Sequence, residues 1–269
     1  PMFGSDDRPK RTPTKKTLEA TPILELDQVV CLGNVGERRL NNVSFILRKG
    51  EIFGIAGVDG NGQKELVEVI AGQRKIFSGR LILEGNDITH SEGPSARMEL
   101  GISYITDDRM QEGCALSMSV AENTILRLFK RSPFSRWKIL NKATIKRYAK
   151  DLIREFNIKV SGPDVQVNTL SGGNIQKLLL ARELSYHPSV LVCNKPTQGL
   201  DAKTTRDVQK RLQQESERGA AILLISSDLD ELLNYSDRIG VLYNGELLDI
   251  LDESNAHHEN IGKLMLGIR

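Results

Sequence analysis

No apolar run in this 269-residue chain approaches the roughly 18 residues a helix needs to cross a bilayer. No leader pattern of basic and then apolar residues stands out either, so contact with a membrane is expected to come through a partner. Cysteine is scarce: Cys31, Cys114 and Cys193 are odd in number and widely spaced. That excludes a disulfide framework and any metal-ligand spacing, and the four histidines supply none. Reduced thiols in a cytosolic protein are the simplest account. An excess of one charge is missing as well. Lys and Arg number 37 against 35 Asp and Glu, a net of +2, which makes no case for nucleic acid or an anionic membrane surface. Basic residues do gather at Arg8 to Lys16 and at Arg127 to Lys150, where the plain expectation is a solvated linker and a solvated helix face.

What is present is ordinary globular composition, 39% hydrophobic and 27% charged, in a chain long enough to bury a sizeable core. Residues 1–20, rich in Pro, Lys, Thr and Asp, read as a linker or an appended tail. The opening Met2-Phe3-Gly4 echoes Met265-Leu266-Gly267, as two tandem copies of one domain would. Short strands are expected at Ile23–Val30, Asn42–Leu47 and Arg80–Leu83. An apolar run, Glu51–Gly57, ends in glycines, and a helical pattern through Leu66, Val67 and Ile70 stops at Gly72. Residues 88 to about 160 change character. Ile145, Tyr148, Ala149, Leu152 and Phe156 recur at helical spacing, so this stretch is expected to be mainly helical. A helix from Ser171, a buried strand at Ser189–Cys193, a helix over 203–218 closed by Gly219 and a strand at Ala220–Ser226 follow. Asn244-Gly245 between two apolar runs predicts a hairpin. Strands alternating with helices predict an α/β core carrying a helical insertion.

Two motifs carry chemistry. Gly57-Val58-Asp59-Gly60-Asn61-Gly62-Gln63-Lys64 has the glycine spacing of a phosphate-binding loop. Glycines there let backbone N–H groups close around phosphate oxygens at a helix N-terminus, although such loops also serve as plain turns. Leu170-Ser171-Gly172-Gly173-Asn174-Ile175-Gln176 is more specific. Ser171 reads as an N-cap, and Gly172 and Gly173 bare N–H groups at the positive end of a helix, an anion site. This second motif resembles the signature of ATP-binding cassette (ABC) proteins, its Asn-x-Gln form being typical of sugar and nucleoside importers. The spacing of Pro196 to Asp201 (D-loop), Ile225 to Leu229 (switch segment) and Tyr104 to Arg109 (Q-loop) agrees. The resemblance covers about 23–268 and is greatest to the second, C-terminal cassette of tandem importer ATPases. It implies a P-loop NTPase, RecA-like core with an antiparallel β subdomain and a helical insertion subdomain at about 88–160, the whole domain occupying 21–269.

Against that family's pattern nearly every catalytic position is altered. Gln63 stands for the P-loop lysine and Lys64 for the Mg²⁺-ligating Ser or Thr. Asn194 replaces the Walker B aspartate, Lys195 the glutamate that activates water, Asp107 the Q-loop glutamine and Ser227 the switch histidine. No aromatic lies between Ile23 and Ser44 to stack on adenine. Lys64 is expected to supply charge where the metal belongs, so the nucleotide half-site of Gly57, Gly60, Gly62, Gln63 and Lys64 binds ATP weakly if at all and hydrolyses none. The signature (Ser171, Gly172, Gly173) is intact, and family architecture implies that it completes the site of a partner cassette, with Asp201 shaping the interface. ATP is the implied cofactor, with Mg²⁺ at the partner's site only. The implied partners are a second ABC cassette in the same parent chain, transmembrane permease subunits and, indirectly, an extracytoplasmic substrate-binding protein, with no nucleic acid. The implied location is the cytoplasmic face of the cell membrane. Two alternatives stay open: a self-pairing competent ABC ATPase, and a non-transport ABC ATPase acting on ribosomes or DNA.

Overall fold

The structure, a computed structural model, describes residues 21–268. The proposed linker, its basic run and the Met2-Phe3-Gly4 echo lie outside the described residues. The chain divides into two compact units. The first holds the described residues through Tyr104, then Ser189–Lys195 and everything from Leu212 on; the second holds Ile105–Pro188 and Pro196–Arg211.

The first unit is built on two sheets. Strands β1 (Pro22–Leu32), β2 (Arg38–Arg48), β4 (Ser78–Leu83) and β5 (Asn86–Asp87) form an antiparallel sheet in the order β2-β1-β4-β5. Alternation brings Leu24 and Leu26 inward along β1. The second sheet is mixed, in the order β12-β11-β3-β10-β9-β6, from β3 (Ile52–Ala56), β6 (Ile102–Ile105), β9 (Val190–Asn194), β10 (Ala221–Ile225), β11 (Arg238–Tyr243) and β12 (Glu246–Leu251). Strands β3, β9 and β10 are buried at every residue. Their unbroken apolar runs are what a parallel strand covered on both faces requires, and β10 pairs in parallel with β3 and β9.

The two sheets share one core. Leu26, Leu40 and Leu81 of the antiparallel sheet join Phe53, Ile55 and Leu223 of the mixed sheet, along with Leu66 and Ile70 of helix α1 (Gln63–Ile70). Phe45 stacks on Phe53 with ring centroids 5.1 Å apart, and the Arg238 guanidinium lies 4.9 Å from the centroid of the Phe53 ring. Arg238 also donates to buried Glu51, whose other oxygen accepts from the backbone N–H of Arg48. Beyond α1 the unit carries α2 (Pro94–Glu99). At the Asn244-Gly245 turn between β11 and β12 both residues take the left-handed conformation that the tightest hairpin requires.

The second unit contains a π-helical turn at Arg109–Gly113, then α3 (Val120–Thr124), α4 (Lys142–Glu155) and α5 (Gly172–Leu184). Ser119 and Glu122 form a reciprocal capping box at the start of α3. Ile145, Ala149 and Leu152 form the buried stripe of α4. The core of the unit joins that stripe to Ala121, Ile125 and Phe134, with Tyr148 edge-on to Phe134 at 4.9 Å. Residues 88–160 are less uniformly helical than their periodicity suggests. They also contain β6 of the mixed sheet and a short hairpin, β7 (Ser135–Arg136) with β8 (Ile139–Leu140). Four-residue strands and two-residue hairpins are too short to leave a period. Helix α6 (Ala202–Glu217) begins in the second unit and ends in the first, where Gly219 turns the chain with φ +103°. Leu229–Tyr235 (α7) and His258–Met265 (α8) complete the described helices.

All three cysteines are free and buried. Burial pushes the Cys31 thiol up to about 11 and raises Cys114 and Cys193 as well. At pH 8 the thiolate fraction is therefore small and shielded. Ellman's reagent is expected to label none of the three in the native chain within minutes and all three after unfolding in guanidinium. Rapid stoichiometric labelling of native protein would contradict this packing.

Candidate functional site

In the first unit the chain leaves the end of β3 through Gly57 and returns as α1. Two backbone approaches exclude side chains from this loop. A Cβ on Gly57 would lie 2.6 Å from the Leu242 carbonyl, and one on Gly62, at φ +108°, 2.8 Å from the Arg39 carbonyl. The loop closes on a single acceptor: the Val58 carbonyl takes hydrogen bonds from Asn61 N (3.2 Å), Asn61 Nδ2 (3.0 Å) and Gln63 Nε2 (3.0 Å). Asn61 also ties the loop to the β11–β12 hairpin, its Oδ1 accepting from Asn244 N at 2.8 Å and its carbonyl from Gly245 N at 2.9 Å. Gly60, at φ +91°, stands at the exposed crest with no atom near its missing Cβ. The N–H groups that begin α1 have no acceptor within the helix.

Side-chain charge around this loop departs from the sequence-based expectation. Gln63 is buried and folded back onto the loop. Lys64, expected to supply charge in place of a metal, is exposed and lies 3.8 Å from Glu68, one turn along α1. The cation that does reach the loop is Lys195, just after β9. Its backbone takes the left-handed φ of +44°, uncommon for such a side chain, and its N–H donates to the Ile225 carbonyl at 2.8 Å. Its Nζ meets Asp59 Oδ1 at 2.5 Å, the Lys side chain being 13% exposed and the Asp 72%. An anion entering the loop must compete with Asp59 for this ammonium. Asn194 is buried at the end of β9, and Ser227 is exposed after β10, beside Asp228, which caps α7.

Mg²⁺ is a hard cation that requires oxygen ligands, and the residues that the family resemblance would put around it are Lys64, Asn194 and Lys195. Of these, Asn194 is a buried neutral amide, Lys64 turns outward to Glu68, and Lys195 brings a positive charge against Asp59. Among the described residues no three His, Cys, Asp or Glu side chains are grouped to hold a metal ion.

The second unit presents a different surface. Ser171 occupies the cap position of α5 in extended conformation, but its side chain caps no backbone N–H. The hydroxyl instead accepts from Asn174 Nδ2 at 2.8 Å, while Asn174 Oδ1 accepts from Lys159 N at 2.7 Å. This corrects the expected N-cap hydrogen bond, and it leaves the N–H groups of Gly172 and Gly173 at the positive end of the helix without helical acceptors.

Arg109 sits beside them. A Cβ on Gly172 would lie 3.9 Å from its Nη1 and one on Gly199 3.6 Å from its Nη2, which donates to the Gln198 carbonyl. Partial burial lowers the Arg109 pKa from the usual arginine value, yet arginine remains charged at neutral pH. Asp107 is exposed; its neighbour Asp108 caps the π-helical turn, accepting from Met110 N and Gln111 N. Asp201 is engaged at the start of α6, where it accepts from Lys203 N, Thr204 N and the Thr204 hydroxyl. Those bonds hold its carboxyl below the ordinary range. Two contributors were missed in the sequence. Asp59 reads as a loop residue until Lys195, 136 positions later, is placed against it. Arg109 is visible as a charge in the Q-loop segment, but its position beside the signature glycines is a tertiary fact.

A buried parallel strand, a glycine loop without room for side chains and a helix that begins at the loop define a phosphate-binding α/β domain of the P-loop NTPase class. A family model described as "ABC transporter" matches residues 40–198, and the chain belongs to that family as an ATP-binding domain. The nucleoside import ATP-binding protein NupA of Lactococcus lactis subsp. cremoris is 38% identical over 245 residues, which are 91% of this chain and 48% of that protein. The ribose import ATP-binding protein RbsA of Clostridium perfringens is 40% identical over 248 residues, 91% of this chain and 48% of that one. The guanosine import ATP-binding protein NupO of Bacillus subtilis is 34% identical over 257 residues, covering 96% and 50%. The chain thus spans about half the length of the curated relatives it matches. Among solved structures, a nucleotide-free ATP-binding cassette from an ABC transporter superposes with a TM-score of 0.74 at 25% identity, covering 92% of this chain and 96% of that one.

If Asp59 competes with phosphate for Lys195, removing the carboxylate should favour anion binding. Asp59→Ala is expected to tighten inorganic pyrophosphate binding by up to about fivefold, the upper range for a largely exposed ion pair. Calorimetry in EDTA reads this directly, and adding Lys195→Ala should abolish the gain. Equal affinities for wild type and Asp59→Ala would mean that the pair and the ligand occupy separate places.

Proposed function

We propose that the chain is the second, C-terminal cassette of a tandem importer ATPase, with a catalytically silent nucleotide half-site and a working signature. The observation that carries this reading is Lys195. The position where a cassette needs a carboxylate to activate water holds an ammonium, already paired with Asp59 on the glycine loop. No general base is left on that strand end, and Gln63 serves as an uncharged brace of the loop. Degeneracy has not reached the signature, where Gly172 and Gly173 keep their N–H groups open and Arg109 stands alongside. Such donors stabilise charge gathering on a phosphate in the transition state, so the signature's role is to complete a partner cassette's ATP site, with Mg²⁺ held there and not here.

The relatives whose names specify nucleosides, ribose and glucose support a sugar or nucleoside as cargo. Spanning about half of those relatives supports a second cassette in the same parent chain. None of the described helices is long and apolar enough to cross a membrane, in keeping with permease subunits that carry the membrane path, a substrate-binding protein outside and this domain on the cytoplasmic face. The unit that includes much of 88–160, with its Asp107–Gly113 link, is the part that engages the permease.

The division of labour is tested in the assembled transporter. Gly172→Asp should lower ATP turnover a hundredfold or more, as loss of one such donor costs about 2.7–4 kcal/mol in the transition state, whereas Gln63→Ala should leave turnover within a few-fold. Equal damage from both would show that the degenerate half-site takes part in hydrolysis. The purified chain alone should show almost no ATPase activity.

ADP binding to the isolated chain should also be nearly indifferent to Mg²⁺, because Lys195 rather than a metal supplies the positive charge. Titration with and without EDTA measures this. A tenfold gain on adding Mg²⁺ would show that metal ligation survives.

A further inference from the structure

The basic run at Arg127 to Lys150 is left unused by the nucleotide chemistry. From Arg127 to Lys150 the chain carries nine Lys or Arg and no Asp or Glu. Two of these cations are engaged within the unit, Arg127 with Glu183 and Lys146 with Asp164. Lys130, Arg131, Arg136 and Lys138 are exposed and have no carboxylate partner among the described residues.

At the centre of this run is the β7–β8 hairpin. Ser135 pairs with Leu140 and Arg136 with Ile139, so the turn is the two residues Trp137 and Lys138. Both adopt left-handed φ, +54° and +64°, where Asn and Gly are favoured and a bulky side chain is not. Phe134, buried in the core of the unit, and the Phe134 carbonyl, which accepts from Asn141 N, fix the base. The tip is held outward: Trp137 is 85% exposed and Ile139 73%. The fold has no packing use for an indole there. A strained, solvent-facing tryptophan beside an aliphatic neighbour, flanked in the chain by Arg136 and Lys138, neither with a carboxylate partner among the described residues, matches the chemistry of a bilayer surface. Tryptophan prefers the headgroup level, and Lys and Arg are drawn to anionic lipids.

We propose that this hairpin is a membrane-contact element, its cations on anionic phospholipid headgroups and the Trp137 indole at the interface. The inference stands on the hairpin's own chemistry and does not depend on the asymmetric-cassette reading. A net charge of +2 does not reveal it, because the charge is local.

Trp137 is the chain's single tryptophan, so its emission reports on this hairpin alone. The full chain, without nucleotide or permease, is mixed with vesicles of phosphatidylcholine containing one third phosphatidylglycerol, and with vesicles of phosphatidylcholine only. With the anionic vesicles, co-sedimentation, a blue shift of Trp137 emission and protection from aqueous quencher are expected, all lost at high salt; the neutral vesicles should show none of them. Arg136→Gln with Lys138→Gln should weaken binding about fivefold per charge removed. Ile139→Ser should reduce the blue shift more than the sedimented fraction. Unchanged thermal unfolding confirms that the variants keep the fold.

Equal binding to neutral vesicles would overturn the proposal. So would sedimentation without any change in Trp137 emission, which would place binding at another basic stretch such as Arg8 to Lys16. A blue shift seen only with detergent-solubilised permease subunits would make a protein pocket the occupant and overturn it as well. Because no nucleotide is present, any of these failures leaves the catalytic reading untouched.

Discussion

The three hydrogen bonds that converge on the Val58 carbonyl set the geometry on which the phosphate loop depends. They require Gly57 and Gly62 to bring backbone within contact of Leu242 and Arg39, where no Cβ fits, and they make Asn61 the tie between the loop and the β11–β12 hairpin. That tie in turn requires the left-handed Asn244-Gly245 turn. Backbone and amide groups thus hold the loop's crest and its hairpin tie. A glutamine at position 63 satisfies this architecture, since its amide donates where the loop needs a donor.

Charge distinguishes the two motifs. On the proposed reading, the positions at which the family holds a metal and activates water are taken by Lys64, Asn194 and Lys195. Positive groups there need a counter-ion, and Asp59 supplies one to Lys195 from within the loop. Lys64 is out in solvent beside Glu68. The cations beside the glycine loop are thus each paired with a carboxylate, whereas the signature keeps helix-end donors at Gly172 and Gly173 without helical acceptors, with Arg109 nearby.

A parallel contrast exists at the surface. Asp201, to which the family resemblance gives an interface role, and Asp108, the neighbour of the Q-loop position Asp107, have their carboxylates committed to starting helical turns of their own segments. Capping is a sufficient physical reason for an aspartate at each place. Conversely, the basic run with its outward-turned Trp137 has no structural reason of this sort. Residues whose geometry is fully explained by local folding are weak guides to function, and those left without such an explanation are stronger ones.

Sequence alone determined the strand and helix order of the core, since β3, β9 and β10 are unbroken apolar runs and the stripes of α1 and α4 keep a 3.6-residue period. It also displayed the two glycine motifs, because these are matters of residue identity at a given spacing. Only the tertiary structure decided which charges meet. Lys195 and Asp59 are far apart in the chain and adjacent in space, so the cation at the loop is Lys195 and not the neighbouring Lys64. The structure likewise decided that the Ser171 hydroxyl accepts from Asn174 instead of capping its helix, and that Trp137 is at an exposed hairpin tip instead of on a helix face. Local periodicity records which face of an element is buried. It carries no information on which distant side chain an exposed or polar group will find, because that depends on how the sheets and loops bring separate segments together.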